Sequence, residues 1–361
     1  MSPYRTLTQI ILLICIVAVL PIATNAGGAF IQQFSVVSIA STVPSNGDVN
    51  PYGVAVVRRS IGALVEGDVL VSNFNNAANQ QGTGTTIVQV SRDGKTTVFA
   101  QISATNLPGA CPGGVGLTTA LVVLYTGWVI VGSLPTTDGT AATAQPGCLL
   151  VLDSQGKVVE TISGSPINGP WDMTAFDGGT SVKLFVTNVL NGIVAANGTV
   201  VNSATVVRID LVINGNNAPR ELSRTIIGSG FPAKTDPSAL VIGPTGVGRT
   251  DDGTLYVADT LENRIAAIPD ALNRDTSAGT GVTVSENGAI NGPLGLMITP
   301  NGNILVTNGG DGNIVETTPA GSQIAVKTIE PTGAGTLFGL ALAFNGIYFV
   351  DDGTNTLSLL H

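Results

Sequence analysis

Asn73, Ser133, Asn188, Asp259, Asn308 and Asp351 each close a short apolar run, and the runs are alike: Val69-Leu70-Val71-Ser72 before Asn73, Leu184-Phe185-Val186-Thr187 before Asn188, Leu255-Tyr256-Val257-Ala258 before Asp259. Oxygen-bearing side chains at one place in six equivalent segments could meet around an axis and hold Ca²⁺, which takes six to eight oxygen ligands. A metal-bound hydroxide or a carboxylate base at such a centre would serve hydrolysis. On this reading Asp259, Asn308 and Asp351 hold the metal, and Asn73, Ser133 and Asn188 contact the ligand. Asp172, beside Trp171, is the catalytic candidate, because it is the one segment-opening residue that replaces a glycine with a carboxylate. A second reading stands beside the first. Asn and Asp at strand ends cap their own turns, and Asp172 could be a buried hydrogen-bonding group.

Other chemistries have less to work with. The single histidine is the last residue, His361, which leaves little room for a Ser-His-Asp or Cys-His arrangement. No Walker-type loop and no cluster with zinc-ligand spacing occurs. Cys111 and Cys148 read as a disulfide, since Cys15 falls in the apolar leader and two cysteines remain.

The elements that would position the candidate residues recur along the chain. Each unit opens on Gly or Pro-Gly with an apolar pair: Pro51-Tyr52-Gly53-Val54, Gly114-Val115-Gly116-Leu117, Pro170-Trp171-Asp172-Met173, Pro244-Thr245-Gly246-Val247, Pro293-Leu294-Gly295-Leu296 and Leu337-Phe338-Gly339-Leu340. Each opening is followed by one of the apolar runs above. Third strands are expected at Thr86–Val90, Leu149–Leu152, Thr205–Ile209, Arg264–Ile268, Ile314–Thr317 and Leu357–Leu360. Outer strands are expected at Thr96–Ala100, Val158–Ile162, Ser223–Ile227 and Ile324–Ile329. Turns such as Asp252-Gly253 join them as hairpins. Self-similarity at this period marks a repeat architecture. The fold class is all-β: a six-bladed β-propeller of four-stranded antiparallel blades. The blades fall near 51–110, 111–165, 166–230, 240–288, 290–331 and 335–361. The last lacks an outer strand, and the β-prone segment at 33–41 is placed to supply it and close the ring, removing an edge.

Insertions at Asn75–Thr85, Pro135–Gly147 and Asn191–Ser203 follow the second strands, so they share one face with the opening and closing residues. That face also carries Asp351-Asp352, whereas Asp251-Asp252-Gly253 turns on the opposite one. Cys111 and Cys148 precede the first and third strands of the second blade, which start at the same face and can be bridged.

Residues 1–26 read as an export signal: Arg5, an unbroken apolar run from Ile10 to Leu20, and Thr24 and Ala26 at a cleavage site. The remainder, 27–361, is the propeller, secreted or periplasmic. Removal of Arg5 leaves 14 basic against 24 acidic residues, a net −10. That balance argues against nucleic acid and anionic membrane surfaces. The expected partner is a small molecule, a glycan or a protein, bound by a monomer.

Tyr256-Val257-Ala258-Asp259-Thr260-Leu261-Glu262-Asn263-Arg264-Ile265 resembles the signature of the NHL-repeat family, and Gly243-Pro244-Thr245-Gly246-Val247 resembles its blade start. The resemblance implies a six-bladed propeller but no single activity. The family's amidating lyase and the streptogramin lyase propellers rely on histidines absent here. More distantly, the Asn/Asp ring resembles the gluconolactonase-like and paraoxonase-like propellers, which imply calcium. The expectation is a binding module acting through the loop-rich face, with a calcium-dependent lactonase or esterase as the alternative.

Overall fold

The computed structural model describes residues 29–361, so the export signal expected at 1–26 lies outside the described residues. Six antiparallel sheets are present. Blade one comprises Val49–Val56, Val69–Asn75, Thr86–Val90 and Thr96–Gln101, and blade two Leu117–Val123, Val129–Ser133, Cys148–Leu152 and Val158–Ile162. Blade three comprises Pro170–Asp177, Ser181–Asn188, Val201–Val212 and Arg220–Asp236, and blade four Pro244–Arg249, Leu255–Asp259, Arg264–Ile268 and Val282–Glu286. Blade five comprises Pro293–Ile298, Ile304–Asn308, Asn313–Thr317 and Gln323–Thr328. Blade six comprises Leu337–Ala343, Gly346–Asp351 and Thr356–Leu360, completed by Val36–Ser41 from the start of the chain.

The leading strand pairs antiparallel with the last one, from Val36 opposite Leu360 to Ser41 opposite Thr356. Ahead of it, fully buried Ile31 joins the core between blades five and six, and its N–H donates to the buried Glu316 carboxylate at 3.0 Å. The ring is therefore clasped by backbone bonds and by an apolar anchor.

The second strands of blades one, two, four and five are buried along their whole length. Neighbouring blades cover both of their faces, which is why runs such as Val69-Leu70-Val71 show no polar alternation. On the far side, tight turns join the first and second strands. Gly253 takes φ +87°, a conformation that suits glycine alone at low cost.

The innermost strands are drawn together by a recurring polar latch. In blade one the Gly53 N–H donates to Ser72 Oγ at 3.0 Å, and that hydroxyl donates to the Thr118 carbonyl of blade two at 2.8 Å. Thr187 does the same between Asp172 and Thr245, and Thr307 between Gly295 and Phe338. Close approach explains the opening glycines. A Cβ at Gly246 or Gly295 would lie 2.2 Å from the carbonyl oxygen of Leu294 or Phe338 in the next blade.

Two sequence expectations are corrected. In blade two Leu117, not Gly114, stands opposite the closing residue Ser133, as Pro170 stands opposite Asn188. Gly114-Val115-Gly116 thus precedes the strand, and blade two carries Thr118, Thr119 and Ala120 where other blades open on glycine. Asp172 is therefore not the one departure from glycine, although it is the one carboxylate among these openings. The outer strand of blade three is also far longer than Ser223–Ile227. It runs from Arg220 to Asp236 and folds back through Leu240–Ile242. Beyond Ile227 it carries Gly228, Gly230 and Pro232, residues that punctuate strands, so that half of its sequence resembles a loop.

Cys111 and Cys148 are bonded, with their Cα atoms 5.2 Å apart. A loop of this length, closed across 37 residues, stabilises by about 4 kcal/mol in the chain-entropy account. Among the described residues no helix is long and apolar enough to cross a membrane.

Candidate functional site

The central channel runs between the first strands, with a volume of about 380 Å³ and a lining that includes Val54, Leu121, Asp172, Val247, Leu296 and Leu340, one from each blade. Its two mouths differ. At the hairpin face it is bordered by Arg58, Arg249, Phe176 and Asp177, and the Arg249 guanidinium sits 5.1 Å from the Phe176 ring centre.

At the loop-rich face the axis is filled. Tyr52 of blade one stacks on Phe338 of blade six, with centroids 3.9 Å apart, and on Phe74, 4.6 Å apart. Trp171 of blade three meets both edge-on, at 6.1 Å from Tyr52 and 5.5 Å from Phe74. Side chains from blades one, three and six can touch only by meeting over the axis. All four are buried, Trp171 to 3% exposure. The inserted loops cover them. Leu134, Leu190 and Ile193 join the same core cluster, and the loops are tied to one another. Gln80 Nε2 donates to the Asp138 carbonyl at 3.3 Å, Thr136 Oγ1 to the Gln81 carbonyl at 2.6 Å, and Gln81 Nε2 to the Ser238 carbonyl at 2.9 Å. The loop insertions expected from the sequence thus form one cap rather than separate flaps.

The closing residues sit where expected, at the ends of the second strands, but each is engaged near its own blade. Ser133 Oγ donates to the Gly114 carbonyl and accepts from Gly116 N–H. Asn188 Oδ1 accepts from Asn168 N–H and Asn308 Oδ1 from Asn291 N–H, each capping the incoming loop. Asp351 accepts from Gly353 N–H and Thr354 Oγ1, both at 2.9 Å. Asp259 pairs with Arg264 at 2.9 Å, and burial still lifts its carboxyl to about 6 against that guanidinium. Asn73 Nδ2 donates to the Thr42 carbonyl of the leading segment at 3.0 Å. Of these closing residues, only Asn73 Oδ1 and Asp259 Oδ1 lack a partner among the described residues.

Most oxygens of the closing residues are thus taken up by bonds near their own blades. Among the described residues no three of His, Cys, Asp or Glu are grouped to hold a metal. Above the channel, Tyr52, Phe74, Trp171 and Phe338 pack against one another in the same core cluster. The turn-capping reading describes the observed bonds.

Asp172 lies below the plug and faces the channel rather than bulk solvent. Burial pushes its carboxyl well above the usual range, and the backbone amides of Met173 and Val247 only partly oppose that. Among the described residues no cationic side chain is paired with it. Its neighbour Trp171 is a core residue of the plug. The structure thus separates the two residues that the sequence placed together as a candidate pair.

A polar cluster missed from the sequence borders the plug at the seam of blades six and one. With its nitrogen turned toward Asp352, the Asn50 amide donates to that carboxylate at 3.2 and 3.3 Å and accepts from Asn75 Nδ2 at 3.0 Å. Burial, and then the charge of Asp351, lift Asp352 to about 6. Burial likewise pushes the Tyr52 phenol up, helped by the negative charge of Asp352. The positive φ of Asn50, +62°, is the local signal, but sequence does not display it.

No protein-family model matches the chain, and no curated protein matches it. Solved structures do. A gluconolactonase from Xanthomonas campestris is 13% identical, with 91% of this chain and 90% of that one covered and a TM-score of 0.57. A luciferin-regenerating enzyme is 12% identical over 91% and 95% of the two chains, with a TM-score of 0.54. A virginiamycin B lyase from Staphylococcus aureus is 16% identical over 90% and 84%, with a TM-score of 0.50. At these identities the similarity shows a shared fold.

Proposed function

We propose that this chain is an exported propeller that works as a binding module through its loop-rich face, without catalysis on its axis. The observation that carries this reading is the aromatic plug. In a propeller whose chemistry lies on the axis, that mouth must admit a substrate and present polar groups to it. Here Tyr52, Phe74, Trp171 and Phe338 occupy it and the loops seal it. What faces solvent is mostly uncharged: Ala78, Gln80, Thr137 and Gln145 lie exposed on the cap, with Asp138 the one carboxylate beside them. Such a surface, held by a disulfide and by loop-to-loop bonds, suits recognition of a small molecule, a glycan or a protein segment. The disulfide and the apolar leader support a secreted or periplasmic location. The Tyr256–Ile265 segment supports kinship with NHL repeats.

The calcium-dependent lactonase reading has the shared gluconolactonase fold in its favour. The filled axis and the engaged closing residues weigh against it.

The test is binding of the purified chain to glycan and peptide arrays, paired with a lactone and ester hydrolysis panel with and without Ca²⁺. The module reading expects a ligand lost when Thr137–Thr143 is replaced by a short glycine linker and retained in Tyr125→Ala on the opposite face. Calcium-stimulated hydrolysis, abolished in Asp172→Ala, would replace it with the enzyme.

A further inference from the structure

Blades two and three part at the loop-rich face to leave a cleft of about 510 Å³, within the range of small-molecule sites. Pro112, Pro146, Pro166, Ile167 and Ile226 form apolar walls, and no charged side chain lines it. Its polar groups are few. Thr205 is 8% exposed, and its Oγ1 has no partner among the described residues. Asn168 Oδ1 is also buried and unpartnered. The orientation of Asn168 is fixed from its other end, because Nδ2 donates to the Leu190 carbonyl at 3.2 Å and to Asn191 Oδ1. Asn191 in turn donates to the Ser203 carbonyl at 2.9 Å.

Buried acceptors without partners cost about 1–3 kcal/mol each, so two in one pocket call for an explanation. The walls are also set in advance. Pro112 follows Cys111, and Gly147 precedes Cys148, so the disulfide holds one side. On the other side Arg224 Nη1 donates to the Ser163 and Gly164 carbonyls at 2.8 and 2.7 Å, and its guanidinium is held in turn by Glu221. A preformed pocket loses little freedom on binding.

We propose that this cleft binds a neutral, largely apolar small molecule that carries hydroxyl or amide N–H donors for Thr205 Oγ1 and Asn168 Oδ1. The uncharged lining excludes ionic ligands, since a desolvated charge would find no counter-charge. The Asn168 amide oxygen can only accept, so it selects a donor, while the Thr205 hydroxyl can accept from the ligand or donate to it. The inference rests on the loop-rich face being the binding face and names the place and the ligand chemistry.

The test uses the full mature chain and three probes of one ring size: trans-1,2-cyclohexanediol, its dimethyl ether and cyclohexylammonium. Amide chemical shifts report where each binds. The diol is expected to shift Ile167, Asn168 and Thr205. The ether, which has no donor, and the cation are each expected to bind at least ten-fold more weakly. Thr205→Val, which keeps shape and removes the hydroxyl, weakens the diol about ten-fold while thermal stability holds or rises. Equal binding of diol and ether overturns the proposal on the unmodified chain, whatever the variant does. Shifts confined to 75–85 and 134–144 would remove the cleft but leave the loop-rich face as the binding surface. An absence of shifts anywhere overturns the proposal.

Discussion

The two mouths of the channel are built from the same repeat and end differently. At the hairpin face the first strands run out into short turns and leave Arg58, Arg249 and Asp177 around an open end. At the loop-rich face the opening positions carry Tyr52, Trp171, Thr245, Leu294 and Phe338, and four aromatic rings close the axis. The backbone at both ends obeys one rule, the tight approach of neighbouring first strands. At the loop-rich end the side chains fill space rather than gather charge. The chemistry of a propeller axis is thus decided by the few positions that face it, not by the repeat that builds it.

The sharpest way to break this contrast is to remove a ring from the closed mouth. Trp171→Ala should cost about 3–5 kcal/mol in denaturant unfolding, the range for burying and then deleting a large aromatic side chain. At the open side, Phe344→Ser should change stability by less than about 0.5 kcal/mol, because Phe344 is 108% exposed on its hairpin. Equal effects would mean that the plug is not packed.

A smaller change probes the latch beneath the plug. Thr187→Ala leaves the Asp172 N–H and the Thr245 carbonyl without the hydroxyl that joins blades three and four. A loss of about 1–3 kcal/mol is expected in the same unfolding assay. Ala258 occupies the equivalent place in blade four, where Thr260 Oγ1 reaches the Pro293 carbonyl instead at 2.8 Å. Ala258→Thr should therefore bring no comparable gain.

The third prediction concerns pH. The carboxyls of Asp172, Asp259 and Asp352 are raised by burial, the last two to about 6. A group that binds its proton more tightly folded than unfolded stabilises fully below its unfolded value near 4 and loses that stabilisation as pH rises through the folded value. The melting temperature should accordingly rise by a few degrees from pH 7 to pH 5. Asp172→Asn should flatten part of that slope and raise the melting temperature at pH 7. A protein more stable at pH 7 than at pH 5 would contradict the burial of these groups.

Much of this architecture could be read from the chain. Strands such as Thr86–Val90 and Val158–Ile162 were legible because turn glycines bracket β-branched runs. The closing strand and the disulfide followed from where blade six and the cysteines fall. The plug was not legible, because Tyr52, Phe74, Trp171 and Phe338 are spread over nearly the whole chain and each reads singly as an ordinary apolar residue. The closing Asn and Asp residues were recognised, but many of their partners are backbone groups of loops, which carry no signal in residue type. Blade two misled because Gly114-Val115-Gly116 imitates an opening that begins three residues later. The cleft was invisible for a related reason: Asn168 and Thr205 matter for what they fail to contact.

The central claim is that the loop-rich mouth is closed by packed aromatic side chains and offers calcium no site. It is tested most directly by acrylamide quenching of Trp171 in a Trp128→Phe background, read with and without millimolar Ca²⁺. The account predicts short-wavelength emission, weak quenching and no response to calcium. Long-wavelength emission that acrylamide quenches freely, or a shift on adding calcium, would contradict it.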